Sequence, residues 1–220
     1  MDARYRVDYA GEFVVTQSSW SGGRKQEKRE WIANPIENQH ISGRAACISG
    51  TGDHDKFDYT RLQRHRGGLL GSLKLQTYGT GEVAGQMRLD FCVETRASAL
   101  SDLINSGYQT NNVVYTTARN CIDNPGEFYL IPNNPHLLDL ATILYLAAFD
   151  GHQEIFMLGY NIETPVQNPN WISHVQTVID AYPGTVFWLI GESTNMPDAW
   201  MNASNTKCLT YREFLSYCDV

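Results

Sequence analysis

The sequence predicts an α/β fold, a mainly parallel twisted sheet with helices on both faces, Rossmann-like in outline and carrying an N-terminal extension. Three observations predict it. From Arg44 onward, apolar runs of strand length alternate with longer helical patterns, the order that builds parallel sheets through crossovers. The pattern Leu137–Phe149 is apolar nearly all round, as a helix buried against a sheet must be. The first apolar run, Ala45–Ile48, leads straight into Gly50-Thr51-Gly52 and then a polar helix start. Glycines at a strand's carboxyl end let backbone N–H groups approach a phosphate, and the next helix offers its positive end. A third glycine would complete the dinucleotide pattern where Asp55 stands, and an ordinary tight turn would account for Gly50 and Gly52 alone.

In chain order, residues 1–43 read as an extension packed on the core, and 44–220 as a single nucleotide-binding domain. Within the extension, Phe13-Val-Val15 carries alternating apolar positions and the turn-rich Ser18–Gly23 reads as a loop joining a hairpin. Strands are expected over 44–49, 73–78, 88–93, 112–116, 127–131, 154–159 and 185–190. Helices are expected over 58–66, 97–106, 136–149, 170–181 and 210–217. Gly151 suits the cap of the buried helix before the apolar run Glu154–Gly159.

Composition narrows the class. The chain has 220 residues, 42% hydrophobic and 19% charged, which fits a folded soluble domain with a sizeable core. No apolar run reaches bilayer length, and the start Met1–Asp8 lacks a signal peptide's apolar core, so a cytoplasmic protein without membrane contact is expected. Five widely spaced cysteines with no Cys-x-x-Cys pair argue against disulfides and a cysteine-rich zinc site. Cys47 and Cys92 sit in apolar runs and read as buried small hydrophobes. Charge is divided unevenly: residues 1–80 hold 12 Lys and Arg against 9 Asp and Glu, whereas 81–220 hold 5 against 15. An acidic chain with a basic end can still engage nucleic acid locally. Arg24, Lys25, Lys28, Arg29 and, further on, Arg64 and Arg66 are the candidates, a solvated charged face being the commoner explanation for each cluster taken singly.

Ligands of such folds bind beyond the carboxyl ends of the strands. Those ends supply Gly50, Thr51, Gly52, Gln76, Thr77, Gly79-Thr-Gly81, Glu94, Thr95, Arg96, Arg119, Asn133, Asn134, Gly159 and Asn161, able to hydrogen-bond a base, a ribose and phosphates. Catalytic candidates are His136 at the start of the buried helix, Asp139 in its first turn, and Glu163. Each has an ordinary structural role as its alternative: a helix cap for His136, a partner to the helix dipole for Asp139. There is no Asp-x-Asp or His-Glu-x-x-His ligand set, no phosphate-binding Gly-x-x-x-x-Gly-Lys loop and no Gly-x-Ser-x-Gly elbow. A dedicated metal site, an ATPase of that class and an elbow hydrolase are therefore not expected.

Two segments resemble small bacterial sialyltransferases. Ile48–Leu62, with Gly50-Thr-Gly52 and Asp58-Tyr-Thr-Arg-Leu62, is similar to their opening loop and helix; Ala148–Asn161 is similar to their helix end and following strand. Asn34–Arg44, Gly67-Gly-Leu-Leu-Gly71, Leu75–Gly79 and Phe149-Asp-Gly-His152 resemble phrases of small bacteriophage glycosyltransferases. The resemblance implies a sialyltransferase-like GT-A variant that transfers a sugar from a UDP- or CMP-linked donor with no obligatory cofactor. It assigns Gly50, Thr51 and Gly52 to the donor's phosphates or ribose and places Gln76 near the nucleotide. Asn161 stands where that family has Asp, and the family's later histidine has no counterpart near Gln167 or Asn168. The phage relatives imply duplex DNA as acceptor, on a hydroxymethylated pyrimidine reached by base flipping, in a host cytoplasm. Trp20, Trp31 and Trp171 are candidates to stack in the gap. A nucleotide-binding module without catalysis and a glycan-directed transferase are the competing expectations.

Overall fold

The computed structural model describes residues 12–21, 24–33, 43–50, 61–62, 75–132, 136–162 and 169–219. Strands β1 (Glu12–Ser21) and β2 (Arg24–Ala33) form the expected hairpin, a two-stranded antiparallel sheet of their own, but Ser18–Ser21, expected as loop, pair with Arg24–Glu27 and belong to β1. The main sheet is built from β3 (Arg44–Ile48), β4 (Gln76–Thr80), β5 (Phe91–Val93), β6 (Val113–Thr116), β7 (Tyr129–Leu130), β8 (Glu154–Leu158), β9 (Val186–Ile190) and β10 (Thr206–Leu209). Its order is β10-β9-β8-β3-β4-β5-β6-β7, with every pairing parallel. This is the Rossmann-like α/β arrangement that the alternation of patterns predicts.

The central strands read as unbroken apolar runs because helices cover both of their sides. Side chains alternate with period two, so Ala45, Cys47, Ile155, Met157, Phe187 and Leu189 share one core with α5 (Asp139–Phe149) and α6 (Trp171–Ala181). Ala46, Ile48, Phe156 and Leu158 face the other core, with α1 (Gly81–Ala84), α2 (Ala97–Asn105), α4 (Ala118–Asp123) and α8 (Tyr211–Cys218). Short α3 (Tyr108–Asn111) and α7 (Asp198–Met201) complete the connections. The all-round apolar pattern of α5 is explained by its position, wedged between the sheet and α6, with Leu140 through Leu144 all buried.

Several boundaries differ from expectation for identifiable reasons. The strand expected over 73–78 lies at 76–80 and runs through Gly79, where any Cβ would stand 2.9 Å from a Leu89 methyl. The glycine therefore belongs to the strand and admits Leu89, rather than ending the strand as a turn. The buried helix starts at Asp139, not at 136, because His136 has φ 55 in the left-handed region and Leu138 is extended. Its Leu138 N–H is capped by His174 Nδ1 at 3.2 Å. The strands expected over 88–93 and 127–131 shorten to 91–93 and 129–130. β10 is an additional edge strand whose Thr206-Lys-Cys-Leu209 carries no alternation to announce it. Of the helix expected over 58–66, only Arg61 and Leu62 fall within the described residues, and both are helical. Cys47 and Cys92 are buried as expected, and burial raises both thiols far above their ordinary range.

Candidate functional site

From β3 the chain steps outward through β4, β5, β6 and β7, then returns across the sheet to lay β8 on β3's other side. The segment after β3 joins the α1 face through Leu62, whereas the segment after β8 leads to α6 on the opposite face. The carboxyl ends of β3 and β8 are therefore the topological switch point of the sheet, where diverging loops open a crevice in folds of this kind.

Ser49, Gly50, Gly159 and Asn161 stand at that point. The Ser49 hydroxyl donates to the Gly159 carbonyl at 2.8 Å, and its N–H donates to the Leu158 carbonyl at 3.0 Å. Gly50 and Gly159 both take left-handed backbone, φ 74 and 76. At Gly50 a Cβ would lie 2.9 Å from Val83 Cγ2 and 3.0 Å from Thr80 Oγ1, so only glycine lets the chain pass this close to the first turn of α1. Asn161 is buried beside this turn, and the neighbouring Ile162 N–H donates to the Asn195 carbonyl beyond β9 at 2.8 Å.

Contacts continue along the same edge. Thr80 Oγ1 donates to the Ser49 carbonyl at 3.4 Å. At Gly81 a Cβ would fall 2.7 Å from Glu94 Oε2, so this glycine makes room for a carboxylate with no solvent exposure. Glu94 is held by Arg96 through Nε at 3.0 Å, Nη2 at 2.9 Å and the backbone N–H at 2.9 Å. Such a forked pair satisfies a buried carboxylate with directed donors. The same bonds raise the Arg96 guanidinium's affinity for its proton. Arg96 also lies 3.7 Å from Glu82.

Next along the edge, the Thr95 hydroxyl donates to Asp139 Oδ1. Asn120 Nδ2 fixes this corner by donating to the Thr95 carbonyl and to Thr116 Oγ1, both at 2.9 Å. Burial raises the Asp139 carboxyl above its ordinary value, and the Glu94 charge adds to the effect; the Thr95 hydrogen bond and the Arg96 charge oppose it. A carboxylate so placed is a better proton acceptor than one in water. A cleft of about 690 Å³ opens beside Gly81, Glu82 and Arg96 and runs past Ser98 and Asp102 to Tyr108. Gly50, Gly159, Asn161 and Asp139 are not among the residues that line it.

The structure thus brings together Gly50, Gly159 and Asn161 at the switch point and sets Asp139 further along the same edge, against Thr95. Gln76 and Thr77 stand elsewhere: with β4 shifted to 76–80 they occupy its amino-terminal half. Thr77 is engaged there with Asp90, its N–H and hydroxyl donating at 2.9 and 3.0 Å and its oxygen accepting from the Asp90 N–H at 3.0 Å. Arg119 follows β6 as expected, yet its side chain is 89% exposed and its ion pair runs along α4 to Asp123 at 3.7 Å. The cation built into the edge is Arg96. His136 is exposed in the loop before α5. Trp171 is buried, edge-on to Trp200 at 5.3 Å, and so belongs to the core rather than to any stacking role. Thr51, Gly52, Asn133, Asn134, Glu163, Arg64 and Arg66 lie outside the described residues. Lys25, Lys28 and Arg29 lie on β2, which Arg24 opens from an exposed position.

Ser49 was not among the sequence candidates, although a small polar residue before a glycine turn marks it. Among the described residues, no group of three or more His, Cys, Asp or Glu could hold a metal ion, and no helix is long and apolar enough to cross a membrane.

No protein-family model matches the chain, and no curated protein matches it. Among solved structures, the fold is similar to the sialyltransferase CstII from Campylobacter jejuni in complex with a substrate analogue, cytidine-5'-monophosphate. The identity is 12%, the likeness covers 66% of this chain and 78% of that chain, and the TM-score is 0.42.

Proposed function

We propose that the chain is a glycosyltransferase that moves a sugar from a UDP- or CMP-linked donor to an acceptor hydroxyl on a hydroxymethylated pyrimidine of duplex DNA, in a host cytoplasm. One observation carries the reading: left-handed glycines at the β3/β8 switch point share the sheet's carboxyl edge with a carboxylate of raised proton affinity. Backbone N–H groups around Gly50 and Gly159 receive the donor's phosphate and ribose, and Asn161 hydrogen-bonds the nucleoside. Asp139 takes the proton of the acceptor hydroxyl while the acceptor's oxygen bonds to the anomeric carbon. The bond from that carbon to the phosphate oxygen breaks, and the electron pair leaves with the nucleotide. Arg96 and nearby N–H groups balance the charge that develops there. No step needs a metal or a further cofactor. Residues 1–43 serve as an appendage to the catalytic domain 44–220 and contribute to acceptor binding.

A glycan acceptor is the second reading, and the cleft beside Arg96 favours it, because Glu82 and Asp102 line it with carboxylates suited to sugar hydroxyls. A thermal-shift screen against UDP, CMP, GDP and their sugar conjugates tests the donor site. A ligand at about 100 times its Kd adds roughly 2.7 kcal/mol, or about 5–10 °C for a chain this size. A shift with one nucleotide class supports the transferase and selects the donor for assays on hydroxymethylated DNA and on oligosaccharides. A flat response to all of them removes the nucleotide from the site.

A further inference from the structure

The hairpin is not a member of the eight-stranded sheet but a two-stranded ribbon of ten-residue strands. At about 3.4 Å per residue it spans roughly 34 Å, close to one turn of B-DNA. Its register divides it along its length. Next to the chain ends, Phe13, Val14 and Val15 pair with Ile32, Trp31 and Glu30; toward the turn, Thr16 through Ser21 pair with Arg29 through Arg24. That distal half carries Arg24, Lys25, Lys28 and Arg29 against the single acid Glu27.

Strand alternation sorts the distal half into two faces. One holds positions Gln17, Ser19 and Ser21 with Arg24, Gln26 and Lys28: amides, hydroxyls and two cations, with no acid. The other holds Thr16, Ser18 and Trp20 with Lys25, Glu27 and Arg29. B-DNA's major groove admits a two-stranded ribbon, and amide and hydroxyl groups suit the base edges displayed there while flanking cations suit the phosphates.

We propose that this ribbon is a DNA-docking element that enters the major groove of duplex DNA through the Gln17, Ser19, Ser21, Arg24, Gln26, Lys28 face. The inference rests on the duplex-DNA acceptor of the proposed function and adds the element and the groove. The C5 position of a pyrimidine projects into that same groove, so a ribbon seated there brings the protein to the side of the duplex that carries a C5 hydroxymethyl group.

The test is duplex binding by the full chain without any nucleotide sugar, titrated across salt concentrations. Two double variants remove the same charge from different faces: Arg24→Thr with Lys28→Thr, and Lys25→Thr with Arg29→Thr. Threonine keeps strand propensity, and thermal unfolding verifies that both fold. The first pair is expected to weaken binding about tenfold or more and to reduce the slope of log K against log salt by about 2, whereas the second, on the ribbon's other face, weakens binding and flattens the slope clearly less. Bulky substituents at pyrimidine C5 are expected to block binding by wild type. Equal losses from the two pairs, the reverse order, binding indifferent to the C5 substituents, or no duplex binding would each overturn the proposal. Duplex binding with the expected asymmetry but no sugar transfer would retain the ribbon and remove the transferase. Donor turnover without duplex binding would do the opposite.

Discussion

The Ser49 hydroxyl reaches across the sheet's switch point to the carbonyl of Gly159, a 2.8 Å hydrogen bond joining the two strands after which the chain departs toward opposite faces. The bond fixes the separation of the two left-handed turns.

Ser49→Ala is expected to lower stability by about 1 kcal/mol, the ordinary net value of one hydrogen bond. Gly50→Ala acts more severely, because it places a Cβ against Val83 and Thr80 on a backbone that side chains rarely adopt. A cost of about 1–3 kcal/mol is expected, together with loss of the nucleotide-induced thermal shift. A folded Gly50→Ala variant that still shifts like wild type would exclude this turn from the donor site.

Asp139 links catalysis to pH. Burial first, and the Glu94 charge after it, raise its carboxyl above the ordinary 3.8. The native state therefore holds this proton more tightly than the unfolded chain, so the associated stability is full below pH 3.8 and is lost as pH rises through the folded value. Asp139→Asn is expected to melt higher than wild type at pH 7, with the gain vanishing toward pH 3.8. The same variant should lose about 10²–10⁴ of any transferase rate, as removal of a general base does. Unchanged turnover would assign the base to another residue.

The Asp-Gly-His phrase after α5 performs structural work. The Tyr78 hydroxyl donates to Asp150 Oδ2 at 2.5 Å and lies 3.1 Å from His152 Nε2, all three residues being buried. Tyr78→Phe removes the donor from a buried carboxylate and is expected to cost about 1–3 kcal/mol, measured by denaturant unfolding, with nucleotide binding intact. A neutral effect would mean that the network is supported without Tyr78.

What could be read from the sequence follows from how local each feature is. The alternation of apolar runs and helical patterns reports burial on two faces, so the sheet, α5 and the strand β8 were all legible. Gly50 and Asp139 were legible because a turn and a helix start mark them. Gly79 misled because its role is to admit Leu89, a contact between strands that no short window contains. Arg96 and Arg119 both follow strands and look equivalent in sequence; only the fold sets one against buried Glu94 and leaves the other in solvent. β10 was not legible because an exposed edge strand has no buried face to pattern.

Glu154 offers a pH test at the far side of the sheet. Partial burial alone would raise its carboxyl, but the Tyr217 hydroxyl at 2.7 Å, the Arg44 guanidinium at 2.8 Å and the Trp188 N–H at 3.1 Å outweigh that effect and lower it. The native state thus favours the ionised form, so the stabilisation is present above pH 4.5 and fades as pH falls through the lowered folded value. Glu154→Gln preserves shape and an acceptor for Tyr217 and Trp188 while cancelling the ion pair with Arg44. Hydrogen bonds to a charged group are worth about 1.5–3 kcal/mol, so a Tm fall of roughly 3–10 °C is expected at pH 7. The gap between wild type and variant should narrow as pH drops below 4.5, because the wild-type carboxyl then takes up the proton that glutamine never needed. A gap that stays constant with pH would mean that packing, not charge, makes this cluster hold β3, β8, β9 and α8 together.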